Sequence, residues 1–317
     1  MLMSFVILPE SFSKEHFTDK VYSLQMLELL KRIQINGLIL IDEDERLLKN
    51  ITEKVKNLPD SASSIKIFWT DFLKIKKSIF IKIRCDIPET QSSICITSIV
   101  ADACKPDVLL TDDNHHGEIE KNNPAIKVVS VSNYLNSTVE VERNKRVHSL
   151  PPLNEMGDTE FDKLLIAAIR FSRKLLLYDP YIGAKKNAYG FQRGIGRILR
   201  LWKENAYFAT KPHETKLSMI LYTIPDPKEC QLASTKKWVE SLSKKYDISI
   251  ELIVKKKSKL NHDRYLQTEF TAISFLGGFD FLDWDNQLRA CLITMASGVG
   301  SHLKRYRESP NASSCSQ

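Results

Sequence analysis

The chain has 317 residues, 43% of them hydrophobic, which is enough to bury one large core or two ordinary ones. Its net charge of +7 is uneven, because residues 1–150 carry 20 Lys and Arg against 21 Asp and Glu, whereas residues 151–317 carry 26 against 18. The basic excess indicates a phosphate-rich partner for the second half and not for the first. A solvated lysine-rich surface is the alternative.

Two features bear on the compartment. The six cysteines, at positions 85, 95, 104, 230, 291 and 315, form no CxxC pair and mostly lie in apolar runs, which favours a reducing, cytoplasmic setting. The opening MLMSFVILPESF has no cationic region or cleavage-like site, so it is predicted to be a first strand. No stretch approaches 18 uninterrupted apolar residues, and no membrane span is expected.

The first half alternates between strand and helix patterns. Strands are predicted at 4–9, 37–42, 64–70, 107–113 and 126–132, and helices at 13–33, about 43–57 and 93–105. This alternation predicts an α/β domain with a Rossmann-like parallel sheet over residues 1–142.

The polar segment 143–157, with Pro151–Pro152, is predicted to be a linker. After it, helices are predicted from 158, near 190–205, at 231–245 and at 299–307, and strands at 174–183, 217–223, 248–254, 264–268, 272–277 and 288–295. This order indicates a second α/β domain with a mixed sheet over residues 158–307, followed by a disordered tail at 308–317.

Acidic residues follow several strands of the first half. Glu10 follows the first strand, Asp42 ends GLILID, and Asp112 and Asp113 end DVLLTDD. Carboxylates at the carboxyl ends of parallel strands can hold Mg²⁺ or Mn²⁺ against a scissile phosphate. Asp42 also precedes a predicted helix, so the alternative for it is a helix cap.

These short motifs resemble the PIN-like ribonuclease domains, over residues 1–135. The resemblance rests on the segments LILIDEDERLL and A-x(5)-DVLLTDD. The resemblance implies a metal-dependent nuclease site of Asp42, Asp112 and Asp113, with Glu10 and Asp86 (or Asp102) as further candidates. The adjacent His115 and His116 are poorly spaced for zinc, and no GxSxG elbow is present.

The second half contains the spacing HxRxxxxE, formed by His262, Arg264 and Glu269. Phospholipase-D-type phosphoryl transfer uses HxKxxxxD, in which the histidine is the nucleophile and the cation holds the phosphate. A strand places His262 and Arg264 on one face, and arginine can bind a phosphate with two hydrogen bonds. Alternation alone places Glu269 on the opposite face.

LLLYDPYIG and, about eighty residues later, NHDRYLQTEFTAISFLGGFDF resemble the phospholipase-D-like domain of the MIT C-terminal type, over residues 158–307. The resemblance implies a fold that binds phosphorylated ligands or nucleic acid, commonly without cleaving them. The matching positions are Asp179, His262, Asp263, Arg264 and Asp280. Lys255, Lys256 and Lys257 are candidate phosphate contacts beside them, and so is Arg197, which lies in a helical stripe with Arg193 and Arg200.

Together these patterns predict a cytosolic two-domain protein that acts on nucleic acid, DNA or RNA, as a nuclease requiring Mg²⁺ or Mn²⁺. The resemblance implies a bacterial defence-type system with a helicase or ATPase partner, or self-association of the chain. Two alternatives stay open: a non-catalytic nucleic-acid-binding scaffold, and a metal-independent phosphodiesterase that uses His262.

Overall fold

The computed structural model describes residues 2–74, 79–144, 147–150, 157–183, 188–210, 216–223, 232–254, 264–275, 279 and 291–295. The chain forms two compact units, Met1–Lys145 and Arg146–Gln317, and each contains its own sheet. No helix among the described residues has the length and apolar character needed to cross a membrane.

The first unit contains a parallel sheet of five strands in the order β3-β2-β1-β4-β5. The strands are β1 (Met3–Ile7), β2 (Gly37–Asp42), β3 (Phe80–Ile83), β4 (Val108–Thr111) and β5 (Val128–Ser130). Every residue of β1, β2 and β4 is buried, as expected for parallel strands covered on both faces. The strand order reverses between β1 and β4, which makes that junction the topological switch point of the sheet.

Helices and short 3-10 turns connect these strands. The helices are α1 (Lys20–Asn36), α2 (Arg46–Lys56), α3 (Ser63–Lys74), α4 (Ser93–Cys104), α5 (His116–Asn122), α6 (Val131–Tyr134) and α7 (Thr138–Asn144), and the 3-10 turns are Pro9–Phe12, Lys14–Thr18 and Asp60–Ala62. The side chain of Asp19 accepts the N–H of Val21 and so caps α1. Buried apolar side chains of α1, α2 and α3 pack with those of β1 and β2 to form the core.

One element of this unit differs from its prediction. Residues 64–70 were expected to form a strand, but they belong to helix α3. Ile65, Trp69 and Phe72 are buried at helical spacing, whereas Ile67, which a strand would place beside Ile65, is exposed. The strand that pairs with β2 at the edge of the sheet is β3, and the sequence did not predict it.

The second unit contains a mixed sheet of seven strands in the order β6-β12-β11-β10-β7-β8-β9. The strands are β6 (Val147–Leu150), β7 (Lys174–Tyr178), β8 (Ser218–Thr223), β9 (Ser249–Val254), β10 (Tyr265–Gln267), β11 (Ala272–Phe275) and β12 (Cys291–Met295). The helices are α8 (Gly157–Ile169), α9 (Ala188–Asn205) and α10 (Leu232–Tyr246), and Tyr207–Thr210 is a 3-10 turn. β7, β8 and β9 are mutually parallel, and β10 is antiparallel to β7.

The boundary region also contains regular structure. Strand β6 lies within residues 143–157, which were expected to be a linker, and it pairs antiparallel with β12. The predicted helix 299–307 and the tail 308–317 lie outside the described residues.

Candidate functional site

The acidic residues of the first unit lie at the carboxyl edge of its sheet. Glu10 follows β1, Asp42 ends β2, and Asp112 and Asp113 follow β4. Because β1 lies between β2 and β4, the strands that carry Asp42 and Asp112 are about 10 Å apart. Glu10 and Asp112 flank the switch point, where open α/β sheets bind their ligands.

Asp112 is fully buried and contacts two histidines. Nδ1 of His115 lies 2.9 Å from each oxygen of its carboxylate, and the backbone N–H of His115 donates to Oδ1 at 2.9 Å. Nε2 of His16 lies 3.9 Å from Oδ2. The carboxylate is therefore held in one orientation between two imidazoles.

Tyr22 packs against this group through His16. Its ring stacks on the ring of His16 at 5.1 Å, and its hydroxyl donates to the backbone oxygen of Ser11 at 2.9 Å. Burial raises the pKa of Tyr22, and the nearby charges of Asp112 and Asp113 raise it further. The hydroxyl therefore stays protonated and acts as a donor at neutral pH.

The other two acids of the switch point differ in exposure. Asp113 is exposed, and the hydroxyl of Ser132 donates to its Oδ2 at 2.5 Å. Oε1 of Glu10 lies 3.7 Å from Nζ of Lys54. The second oxygen of Glu10, Oε2, is buried without a hydrogen-bond partner in the described structure. A buried acceptor of this kind calls for a cation or a water molecule.

Asp42, at the end of β2, contacts the start of α2. It is buried, and its two carboxylate oxygens accept the N–H groups of Arg46 and Leu47, the first residues of α2, at 2.8 Å each. The alternative of a helix cap thus accounts for its contacts. Asp86 is exposed beyond β3, and Asp102 is exposed on α4 and pairs with Lys105.

Asp42, Asp112 and Asp113 each make their hydrogen bonds with other parts of the fold. In the described ranges, no group of three or more His, Cys, Asp or Glu side chains has the arrangement to hold one metal ion. The residues that the sequence did not single out are His16, Tyr22, Ser132 and the ring of His115. The only signal for them was the three-residue spacing from Asp112 to His115, since the other contacts join distant parts of the chain.

In the second unit, Asp179 directly follows β7 and is fully buried. Its carboxylate accepts the N–H of Tyr181 at 2.9 Å and the N–H of Phe279 at 3.1 Å. Phe279 lies in the LGGFDF sequence, and Asp179 therefore ties Phe279 to the end of β7. Its Oδ2 also lies 3.8 Å from Nε of Arg264.

The antiparallel pairing of β10 with β7 brings Arg264 to this edge. Tyr265 pairs with Tyr178, so the residue before β10 faces the residue after β7. The guanidinium of Arg264 lies 5.0 Å from the ring centroid of Tyr181. Asp179, Tyr181 and Arg264 thus lie together at the edge where β7 and its parallel neighbours end.

Glu269 does not join this group. Its carboxylate accepts the N–H groups of Arg173 at 2.6 Å and Lys174 at 3.4 Å, at the opposite end of β7. The reason is that β10 runs straight for three residues before the chain turns, which carries Glu269 to the far edge of the sheet. The HxRxxxxE spacing therefore does not describe one site, and the acidic neighbour of Arg264 is Asp179.

Arg197 was expected to contact phosphate, but the structure gives it a partner within the unit. Its Nε and Nη2 lie 3.0 and 2.9 Å from Oδ1 of Asp162, and its side chain is 11% exposed. This pair joins α9 to α8. Of the other expected contacts, Lys255, Lys256, Lys257, His262, Asp263 and Asp280 lie outside the described residues.

No protein-family model matches the chain, and comparison with the curated proteins gives no significant match.

Proposed function

We propose that this chain acts on nucleic acid as a metal-dependent nuclease, with its reaction site at the carboxyl edge of the first sheet. The observation that supports this is buried Asp112 at the switch point, in contact with His16 and His115 and followed by exposed Asp113. An acidic edge repels a phosphate unless a cation neutralises it, so a metal-dependent reaction suits the charge of this site.

Asp112, Asp113 and Glu10 would hold the Mg²⁺ or Mn²⁺ ion. Oxygen donors suit these ions, and Oε2 of Glu10 is a buried acceptor with no hydrogen-bond partner in the described chain. Fewer than three carboxylates suffice, because Mg²⁺ keeps several waters and takes oxygens from the substrate. Asp42 fits less well, since each of its oxygens accepts a backbone N–H group, whereas among the described residues Oδ1 of Asp112 accepts one and Oδ2 contacts only imidazole nitrogens. When bound, the ion would activate water and neutralise charge on the phosphate.

The protein's own part in this reaction is to hold the acids in place. His115 fixes the carboxylate of Asp112 through both its backbone N–H and its ring, and the Ser132 hydroxyl restrains Asp113. Because Asp112 is buried and Asp113 is exposed, we assign Asp113 to the side that meets substrate. Preorganised carboxylates of this kind need little rearrangement when substrate arrives.

We assign recognition of the phosphate backbone to the second unit. Arg264 lies at the carboxyl edge of three parallel strands, and Asp179 fixes its position from a buried site. The net charge of this half also favours binding to a polyanion. Asp263, Asp280, His262 and Lys255–Lys257 extend the proposal beyond the described residues.

A non-catalytic nucleic-acid-binding scaffold is the second candidate. It is favoured by the capping role of Asp42 and by the distance of Glu269 from Arg264, since each removes an acid from an expected catalytic set. Membership of a bacterial defence-type system, with a helicase or ATPase partner or a second copy of the chain, is proposed on the resemblance alone.

Cleavage of labelled single- and double-stranded DNA and RNA by the full chain tests the proposed function. We expect cleavage with Mn²⁺ or Mg²⁺, none with EDTA, and loss of activity in the double variant Asp112→Asn, Asp113→Asn. Asp71→Asn, which changes an exposed acid on α3, is the matched control and should keep full activity.

Three outcomes separate the candidates. Activity that survives in the double variant would reject these two residues as ligands. Cleavage that persists in EDTA and is lost in His262→Ala would move the reaction to the second unit. Binding without cleavage under any condition would favour the scaffold.

A further inference from the structure

The described part of the second unit exposes two large hydrophobic side chains, and both are tyrosines. Tyr181 is 38% exposed and Tyr189 is 50% exposed. Other aromatic rings of this unit, such as those of Phe161, Phe191 and Phe275, are buried in its core. Tyrosine is enriched at binding surfaces, because its ring is apolar and its hydroxyl can form a hydrogen bond.

Each of these tyrosines lies beside an arginine. The guanidinium of Arg264 is 5.0 Å from the ring centroid of Tyr181, and that of Arg193 is 5.2 Å from the ring centroid of Tyr189. Such a pair combines a flat apolar surface with a positive charge that does not depend on pH near neutrality. The two pairs repeat one chemical pattern.

Topology brings both pairs to the same edge of the sheet. Tyr181 follows the carboxyl end of β7, and Tyr189 lies in the first turn of α9, which begins at that edge and returns the chain to the start of β8. Arg264 enters the same edge from antiparallel β10. The aromatic rings therefore accompany the proposed phosphate contact instead of being scattered over the surface.

We propose that the Tyr181–Arg264 and Tyr189–Arg193 pairs form a stacking platform for unpaired nucleobases, so that this unit binds single-stranded nucleic acid in preference to duplex. In a duplex the flat faces of the bases are covered by their neighbours, whereas a single strand can offer them to an aromatic ring. The inference rests on the proposed function, because it names the nucleic acid that the phosphate site accepts.

Fluorescence anisotropy of the full chain tests this, with labelled oligothymidylate and oligouridylate as single strands and their duplexes with the complementary strands. EDTA prevents metal-dependent cleavage. We expect tighter binding to the single strands, and at least about tenfold weaker single-strand binding for the double variant Tyr181→Leu, Tyr189→Leu. Duplex binding should be unchanged, and Tyr181→Phe with Tyr189→Phe should bind like the native chain because the rings remain.

Tyr246→Leu is the matched control. Lys245 lies 5.2 Å from the Tyr246 ring centroid, but this pair lies just before β9, at the opposite edge of the sheet. Its loss should not weaken binding. A second readout uses the native chain alone: a fluorescent adenine analogue placed in the single strand should be quenched on binding as it stacks on a ring.

Unchanged single-strand affinity in the leucine variant, or an analogue that is not quenched, would overturn the platform. If Arg264→Gln still weakened binding in that case, the proposed phosphate contact of Arg264 would be supported and the stacking platform would not. Absence of binding to every strand would overturn the platform and the proposed phosphate recognition together.

Discussion

At the scale of single residues, Asp42 serves the fold more clearly than it serves chemistry. Its carboxylate accepts two N–H groups at the start of α2, and it is buried. We expect Asp42→Ala to lower the free energy of unfolding by about 1–2 kcal/mol, because two helix donors lose their acceptor. Urea unfolding measures this, with exposed Asp44→Ala as control.

Cleavage assays of the same variants separate the two roles of Asp42. Activity per folded molecule should be kept in Asp42→Asn, whose side-chain oxygen can still accept one of the N–H groups. Complete loss of cleavage with unchanged stability would return Asp42 to the metal site.

Tyr22 carries a pH dependence of stability. Burial and the charges of Asp112 and Asp113 raise its pKa in the folded state, so above about pH 10 the unfolded chain releases this proton first. The stabilisation is complete below that pH and is lost as pH rises through the alkaline range. We expect Tyr22→Phe to lose stability less steeply with alkaline pH than the native chain.

Urea unfolding at a series of alkaline pH values compares the two slopes. The variant begins about 1 kcal/mol less stable, since the hydrogen bond to Ser11 is lost, so the slope and not the level is diagnostic. Tyr189→Phe, at an exposed tyrosine, controls for the general effect of alkali. Parallel slopes for Tyr22→Phe and the native chain would contradict this expectation.

At the scale of elements, the sequence predicted strands where the apolar run was short and bounded on both sides. Strand β2 is found at residues 37–42, as expected from GLILID. The strand predicted for SIKIFWT was wrong, because over so short a segment its apolar residues fit both an alternating strand and one face of a helix. The helix buries Trp69 and Phe72 in the core and, of its apolar residues, leaves only Ile67 exposed to solvent, so it is the more stable of the two structures.

The candidate site was predictable only in part. The sequence placed Glu10, Asp112 and Asp113 after predicted strands. In a parallel sheet these strand ends share the carboxyl edge, where the structure has the three residues. His16 could not be found, because its contact with Asp112 joins residues nearly a hundred positions apart through the first 3-10 turns. The helical spacing of the arginines in α9 also could not show that Arg197 pairs with Asp162 of α8, whereas Arg200 is exposed.

The Arg197–Asp162 pair gives an expectation at this scale. The pair is partly screened by water, since the side chain of Asp162 is 25% exposed, and we expect Asp162→Ala to lower the free energy of unfolding by about 1–2 kcal/mol. Binding of nucleic acid by the folded variant should be unchanged. A variant that bound more tightly, with native stability, would show that Arg197 is available to phosphate after all.

At the scale of the whole molecule, charge separates the two units. Met1–Lys145 carries 19 Lys and Arg against 21 Asp and Glu, whereas Arg146–Gln317 carries 27 against 18. We expect nucleic-acid affinity to fall steeply with salt, and the fragment 146–317 to reproduce the salt slope of the full chain. Titration of labelled oligonucleotide at several salt concentrations measures both slopes. Equal binding by the fragment 1–145 would contradict the assignment.

Strand β6 determines the residue at which a stable fragment of the second unit should begin. It forms the outer edge of the second sheet and covers the edge of β12. A second unit that began after Leu150, at the double proline, would lack this strand and present the backbone of β12 to solvent. Exposed strand edges recruit other strands, so we expect this fragment to aggregate more readily than one beginning at Arg146, in which β12 stays paired with the four residues of β6.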